Sequence, residues 1–270
     1  MLSYKRDGVS ILNKTPASHK GFMLNLARAY TDNDADKMLQ MWKREKIANP
    51  QIEVNDISAE VKSGIATVSE FVTVYGEKDP IFDAHILYII GGNGVIDIEV
   101  AIKRTVEGEK VLTSVPRIGL TVELDKRFNE FEYFGRGDRE CLCDYKAQSY
   151  VGLYSSTVEE SHEPYIRPQD NSNHCDTKYV KLKSEKGEEV LIYSDRDFTF
   201  NIHNYSQQTL DKGNHREDIV DEKTTFVTLD GFTRGTGSNS CGPETLPQYT
   251  IDLSKELTFN FVIVPGKKEG

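Results

Sequence analysis

The sequence is short of basic residues, of helix patterning, of tryptophan and of the short motifs that mark common catalytic centres. Its 33 lysines and arginines are outnumbered by 43 aspartates and glutamates, leaving a net charge of −10. Phosphate recognition needs a basic surface, so this balance argues against a nucleic-acid partner and disfavours an anionic membrane surface. No apolar run approaches the ~20 residues of a membrane span. The longest, AHILYIIGGNGVIDIEVAI, is broken by Gly91, Gly92 and Gly94. The N-terminal MLSYKRDGVSILNK lacks the apolar centre of a signal peptide, and a cytoplasmic location is expected.

Metal and nucleophile signatures are equally scarce. The four cysteines are Cys141, Cys143, Cys175 and Cys241, and the first two form a CxC rather than a CxxC pair. Free thiols are the expectation, with His174 beside Cys175 leaving a zinc site open. Asp32, Asp34 and Asp36 alternate as in a calcium loop, but the glycine and the closing glutamate of such a loop are missing. Helix capping and an Arg28–carboxylate pair are the expected roles there. GGNG at 91–94 precedes no helix start and reads as a turn. There is no GxSxG elbow, P-loop or HExxH, and no Asn-Glu at the end of a barrel strand.

What is present is strand pattern. QIEVNDISAEVKSG, IATVSEFVTVYG, FDAHILYIIGG and GVIDIEVAIKRT alternate with period two between turn signals and predict an antiparallel meander. SVPRIGLTVELDKRFNEFEYFG follows. YVKLKS, EEVLIYSD, FTFNIHNYS, TTFVTLDGF, QYTIDL and LTFNFVIV then resume the pattern. About a dozen strands imply two packed sheets rather than one open sheet. DADKMLQMWKREKI, residues 34–47, predicts a short helix with Trp42 packed beneath it.

Two segments stand out as loops. Residues 135–180 are rich in Tyr, Asp, Ser, Pro and Asn, and a connection of this length is expected to be functional or an interface. Within it, YIRPQDNSNHCDTKY offers Arg167, Gln169, Asn171, Asn173, His174 and Asp176 either as a sugar-lining set or as a solvated turn region. TRGTGSNSCGPETLPQY, residues 233–249, is a glycine-rich loop with Cys241 at its centre, set between strands.

Six blocks, in order and spread along nearly the whole chain, resemble one family. ARAYTDND resembles the RAPTDND signature of the C-terminal region of family 2 β-galactosidases, and PRIGLTVEL resembles their PRIGL strand. EYFGRGDRECLCDY is similar to YxGxGPxExYxDR, and PYIRPQDNSNHCDTKYVKL to PYxxPQENGNRxDVRWxxL. FTFNIHNYSQQTLDKGNH is similar to FxFNxSxYSxxxLxxAxH, and TLDGFTRGTGSNSCGP to xxDxxQxGxGxxSWGP.

The resemblance implies an all-β, two-sheet antiparallel supersandwich of the galactose mutarotase type, with residues 1–270 as a single small-chain domain. The TDND motif arrives by residue 31, so an abbreviated first hairpin and an excised fragment are expected. It further implies that the catalytic glutamates lie on a TIM-barrel domain or large subunit, with no catalytic residue here. The chain's part is then a wall of the β-galactoside pocket. Asn239, Ser240, Cys241 and Asp34 would border that pocket, with Cys241 at a position where many members place a sugar-stacking tryptophan. Arg28, Asp32, Asn33, Glu140, Asp144, Gln169 and Asn171 would form the structural and interface motifs. No cofactor is expected within this chain; magnesium and a monovalent cation would be bound elsewhere in the full enzyme. Departures at Asp138, Leu142, Tyr145 and Asp170 put the hydrogen bonding of the 135–180 region in question. A stand-alone mutarotase-like epimerase would need a paired glutamate and histidine on the concave sheet. A carbohydrate-binding module would need exposed aromatics on one face.

Overall fold

The structure is a computed structural model, and it describes residues 4–6, 9–12, 21–34, 37–105, 112–237 and 242–267. Short strands β1 (Lys5–Arg6) and β2 (Val9–Ser10) pair with each other, and β3 (Phe22–Asn25) follows. Helix α1 spans Lys37–Arg44, inside the predicted segment, and Trp42 on it is fully buried. Its indole Nε1 donates to the Ser114 carbonyl at 2.7 Å, and Tyr30 stacks on the ring. The polar edge of the buried ring is therefore satisfied, as burial of an indole requires.

The predicted meander forms as β4 (Gln51–Lys62), β5 (Ile65–Tyr75), β6 (Pro80–Gly91) and β7 (Ile96–Arg104), each antiparallel to the next. GGNG is the β6–β7 turn, with Gly94 at φ +83°, where a side chain would be strained. β8 (Arg117–Asp125) and β9 (Phe128–Gly137) follow, then β10 (Tyr150–Thr157), β11 (His174–Ser184) and β12 (Glu188–His203). Helix α2 (Gln207–Lys212), β13 (Thr224–Thr233) and β14 (Leu257–Lys267) complete the order.

Twelve strands form one antiparallel network that runs β10-β9-β11-β12-β14-β7-β6-β5-β4 and forks at β12. The first part of β12 pairs with β14, while Thr199–His203 pair with β13, which leads on to β8 and β3. The fork gives the sheet two arms that close over one core. Ile98 and Val100 of β7, Leu120 of β8, Phe131 of β9, Val180 of β11, Val227 of β13 and Phe261 of β14 all belong to it. Across the fork, Phe198 meets Phe261 edge-on at 5.3 Å between ring centroids.

Three strand expectations change in detail. EEVLIYSD and FTFNIHNYS are one strand, β12: the exposed Asp195–Asp197 stretch between them has turn-forming residues but stays extended as it passes between partners, with the Asp195 amide donating to Asn260 Oδ1 at 3.2 Å. QYTIDL is not a strand: Pro247 opens a 3₁₀ turn there, and Ile251 and Leu253 are buried without a ladder. The 135–180 region contains β10, an edge strand on β9 whose Gly152 and serines hid the pattern.

Candidate functional site

The TDND segment folds as a 3₁₀ turn, Asp32–Asp34, immediately beyond a buried arginine. Arg28 is 1% exposed and grips Asp34 with two nitrogens: Nε donates to Oδ2 at 3.0 Å and Nη2 to Oδ1 at 2.5 Å. The Thr31 amide and hydroxyl also donate to Oδ2, both at 3.0 Å. Burial alone would lower the Arg28 pKa, but the Asp34 carboxylate outweighs it and the net shift is upward. Burial likewise would raise Asp34, and the guanidinium overrides it, so the carboxyl lies below its usual range. The pair stays ionised, with its hydrogen-bonding sites filled, which is the condition for a buried ion pair to be tolerated.

The pair holds one object, the start of the glycine-rich loop. Arg28 Nη1 donates to the Arg234 carbonyl at 2.9 Å, and Nη2 reaches the Gly235 carbonyl at 3.4 Å. Asn33 Nδ2 donates to the Gly237 carbonyl at 2.6 Å, and the Gly237 amide donates to Asp144 Oδ2 at 2.7 Å. Two glycines make this approach possible. A Cβ on Gly235 would sit 2.3 Å from the Asp144 carboxyl carbon, and Gly237 has φ +64°. Arg234 is itself buried over the Trp42 ring, 5.6 Å from its centroid. Arg28, Asn33, Asp34 and Asp144 are thus brought together around residues 234–237. Asn239, Ser240 and Cys241 follow directly and lie outside the described residues. Asp34, expected at the pocket, is 1% exposed, and its carboxylate is engaged by Thr31 and by the Arg28 guanidinium that reaches the loop.

The 135–180 region forms a second, dense polar layer. Glu140 is 9% exposed, and its carboxylate accepts from the Ser172 amide at 2.6 Å and from the Tyr165 hydroxyl. Burial raises its pKa despite those two donors. Asn171 is buried, caps its own turn through the Gln169 carbonyl at 2.9 Å and takes the Glu163 amide at 3.2 Å. Asp170 accepts Arg117 Nη2 at 2.9 and 2.8 Å and Asn173 Nδ2 at 2.8 Å. The Asp170 carboxylate is therefore held on both sides despite the departure at this position. Asp32 is exposed and pairs with Arg167 at 2.9 Å, linking the two motif segments at the surface. Tyr30, Asp32, Lys43, Arg167 and Asp211 line a cavity of about 260 Å³ at this junction. Asp211 is raised to about 6 there, chiefly by burial.

Beneath both layers sits Asp230 of β13, 1% exposed, opposite Gly119 on β8. Its oxygens make no hydrogen bond, and its nearest cation is Arg117 Nε at 3.6 Å. Burial pushes its carboxyl up to about 7, against the pull of Arg117. Arg117, Asp230, Gly235 and Gly237 carry weight that sequence reasoning did not give them. The closely spaced glycines of RGTG were the available signal for a tight backbone path.

No group of three or more His, Cys, Asp or Glu arranged to hold a metal occurs among the described residues. His174 Nδ1 lies 3.0 Å from the Tyr133 hydroxyl and 3.1 Å from the Arg136 carbonyl, and His203 faces the Asn171 carbonyl. Burial drives both histidines down, to about 4 and about 3. His85 meets Ser69, and His162 meets Tyr205. His215 approaches Asp218 at 3.8 Å on an exposed turn.

The comparison with known families falls on this same arrangement. A model of the family described as "Beta galactosidase small chain" matches residues 1–263. The chain belongs to this family. As a small-chain family member it is 27% identical over 238 residues to a β-galactosidase of Staphylococcus xylosus, covering 88% of this chain and 23% of that protein. It is 28% identical to that of Actinobacillus pleuropneumoniae and 30% identical to that of Kluyveromyces lactis, each match covering 90% of this chain and 23% of the relative. The small-chain segment thus spans about a quarter of the length of these relatives. Among solved structures, a galactose mutarotase-like protein from Clostridium acetobutylicum superposes with TM-score 0.50 at 8% identity, over 92% of this chain and 79% of that one. The fold is that of the mutarotase-like supersandwich. No helix among the described residues is long and apolar enough to cross a membrane.

Proposed function

We propose that this chain is the non-catalytic small-chain module of a β-galactosidase that hydrolyses terminal β-D-galactosides. The observation that carries the reading is a family match over residues 1–263 combined with relatives of which the chain covers only 23%. The acid and nucleophile of that chemistry are two facing carboxylates, and in this reading they belong to a barrel in the remaining three quarters of the enzyme. The cations of the full enzyme are likewise held outside this chain, and the chain alone is inactive. The epimerase reading is less favoured, since buried His174 and His203 have hydroxyl and carbonyl partners rather than a glutamate.

The geometry supports a partner. The core face of the meander does not stop where the core stops. Val74, Val72, Glu70, Val68 and Ala66 of β5 stand opposite Ile52, Val54, Ile57, Ala59 and Val61 of β4. Ile52 to Val54 is a step of two, but Val54 to Ile57 is a step of three, which would turn the second group to the other face. A bulge at Asn55 absorbs the extra residue, and Asn55 Nδ2 is pinned to Thr73 Oγ1 at 2.8 Å. All five apolar side chains therefore share the core face. Yet Ile52, Val54, Ile57 and Val61 are 42, 50, 61 and 78% exposed. An apolar row kept in phase by a bulge is built to be covered. In this reading the remainder of the β-galactosidase covers it.

The role of the glycine-rich loop, with Asn239, Ser240 and Cys241 in its sequence, is to form the edge of the sugar pocket. Its support is the clamp of Arg28, Asn33 and Asp144 on residues 234–237, which fixes the loop's take-off. In the assembled enzyme, Cys241→Trp is expected to change KM or acceptor preference while leaving stability nearly unchanged. Restored stacking would contribute on the order of 1 kcal/mol, several-fold in binding. Unaltered kinetic constants, or an unfolded domain, would remove Cys241 from the pocket.

A further inference from the structure

Two of the cysteines are neighbours in space although 34 positions apart. Cys141 and Cys175 are both buried, at 0% and 3% exposure, with their sulfurs 3.0 Å apart. The backbone already joins their segments: the Cys141 amide donates to the Asn173 carbonyl at 2.7 Å, and the Cys175 amide points at Cys141 Sγ at 3.3 Å. We propose that Cys141 and Cys175 form an oxidisable dithiol that closes to an intramolecular disulfide with a small-molecule disulfide as oxidant. The two sulfurs are already in contact and have to close from 3.0 Å to the ~2.05 Å of a disulfide bond.

The chemistry has a direction. Cys141 is held below its usual range because the Cys175 thiol and amide donate to it, and Cys175 is correspondingly raised. Cys141, whose sulfur also accepts the Cys175 amide, is therefore the attacking thiolate, and because both sulfurs are buried the attack runs through a local opening that admits the oxidant. Its sulfur attacks one sulfur of the oxidant, forming a mixed disulfide and expelling one thiolate. The Cys175 sulfur then loses its proton and attacks Cys141 Sγ, expelling the second thiolate. The protein gives up two electrons and two protons, and the oxidant leaves as two thiols. Cys143 is excluded from this pairing: its sulfur faces the Thr233 and Tyr249 carbonyls, and burial raises it to about 11.

The bond would tie the segment after β9 to the first residues of β11. On either side of it lie Glu140, which holds the Ser172 amide, and Asp176, which pairs with Arg136 and Lys146. It would therefore lock the polar layer of the 135–180 region in its present form, independently of what the chain's partner is.

The test is to treat the folded chain with 2-hydroxyethyl disulfide, unfold it in urea with excess N-ethylmaleimide so that every remaining thiol is blocked, and map the peptides without reduction. Cys141 and Cys143 share a tryptic peptide, so fragment-ion sequencing assigns the sulfur. The expected result is a Cys141–Cys175 cross-link with the mass of two hydrogens lost. An upward shift in Tm should accompany it, be reversed by dithiothreitol and be absent in Cys175→Ser. Should that variant fold poorly, the wild-type map alone decides. Alkylation of both Cys141 and Cys175 after treatment would overturn the proposal. So would a mixed disulfide that persists on Cys141, or a cross-link through Cys143 or Cys241.

Discussion

At Arg28 and Asp34 two charges leave water and find partners on every side, and the guanidinium still has donors left for a backbone 206 positions away. Asp230 has no such provision. It is buried, without a hydrogen bond, 3.6 Å from Arg117 Nε, and raised to about 7. Its folded pKa lies above its unfolded one, so the unfolded chain ionises first and stability falls as pH rises from about 4 to about 7, then levels off. Asp230→Asn does not titrate. Urea unfolding across this range should show wild type losing stability relative to the variant, with a slope of up to about 1.4 kcal/mol per pH unit. Parallel curves would mean that Asp230 is ionised in the fold. Residue-level reading of the sequence reached Arg28 with a carboxylate, but not its target. The Arg234 carbonyl looks like any other until the fold brings it near. Asp34 illustrates the converse: it stands out in the sequence as part of a signature, while its bonds to Arg28 and Thr31 are visible only in the fold.

At the level of elements, the meander was legible because its turns carry glycine or Asp-Pro and its strands alternate cleanly. β12 was misjudged because the partner change from β14 to β13 is a tertiary event that leaves no local mark. QYTIDL alternates like a strand, yet alternation reports burial of one side, which Ile251 and Leu253 achieve without a ladder. The step of three in β4 was visible in the sequence, but its meaning needs the register. The β4 row yields a prediction at this scale. Val54→Lys combined with Ile57→Lys replaces exposed side chains, so the isolated chain should keep its stability within about 0.5 kcal/mol per site. Binding to the remainder of the enzyme, measured by co-purification, should fall at least tenfold. Retained binding would place the interface elsewhere, and a wild-type chain that dimerises while the variant stays monomeric would assign the row to a second copy.

For the molecule as a whole, two arms of one forked sheet close on a single core, while one end of that sheet continues past it as an apolar margin. The all-β class followed from the strand pattern, and the supersandwich and the family from six ordered blocks. The proposed role divides the labour between this chain and a barrel-containing remainder of a β-galactosidase. The most direct measurement is hydrolysis of a chromogenic β-galactoside by the purified chain, by the barrel-containing remainder and by the two together. The account predicts turnover only when both are present. Turnover by this chain alone, abolished by replacing an acid within it, or full turnover by the remainder without it, would contradict the account.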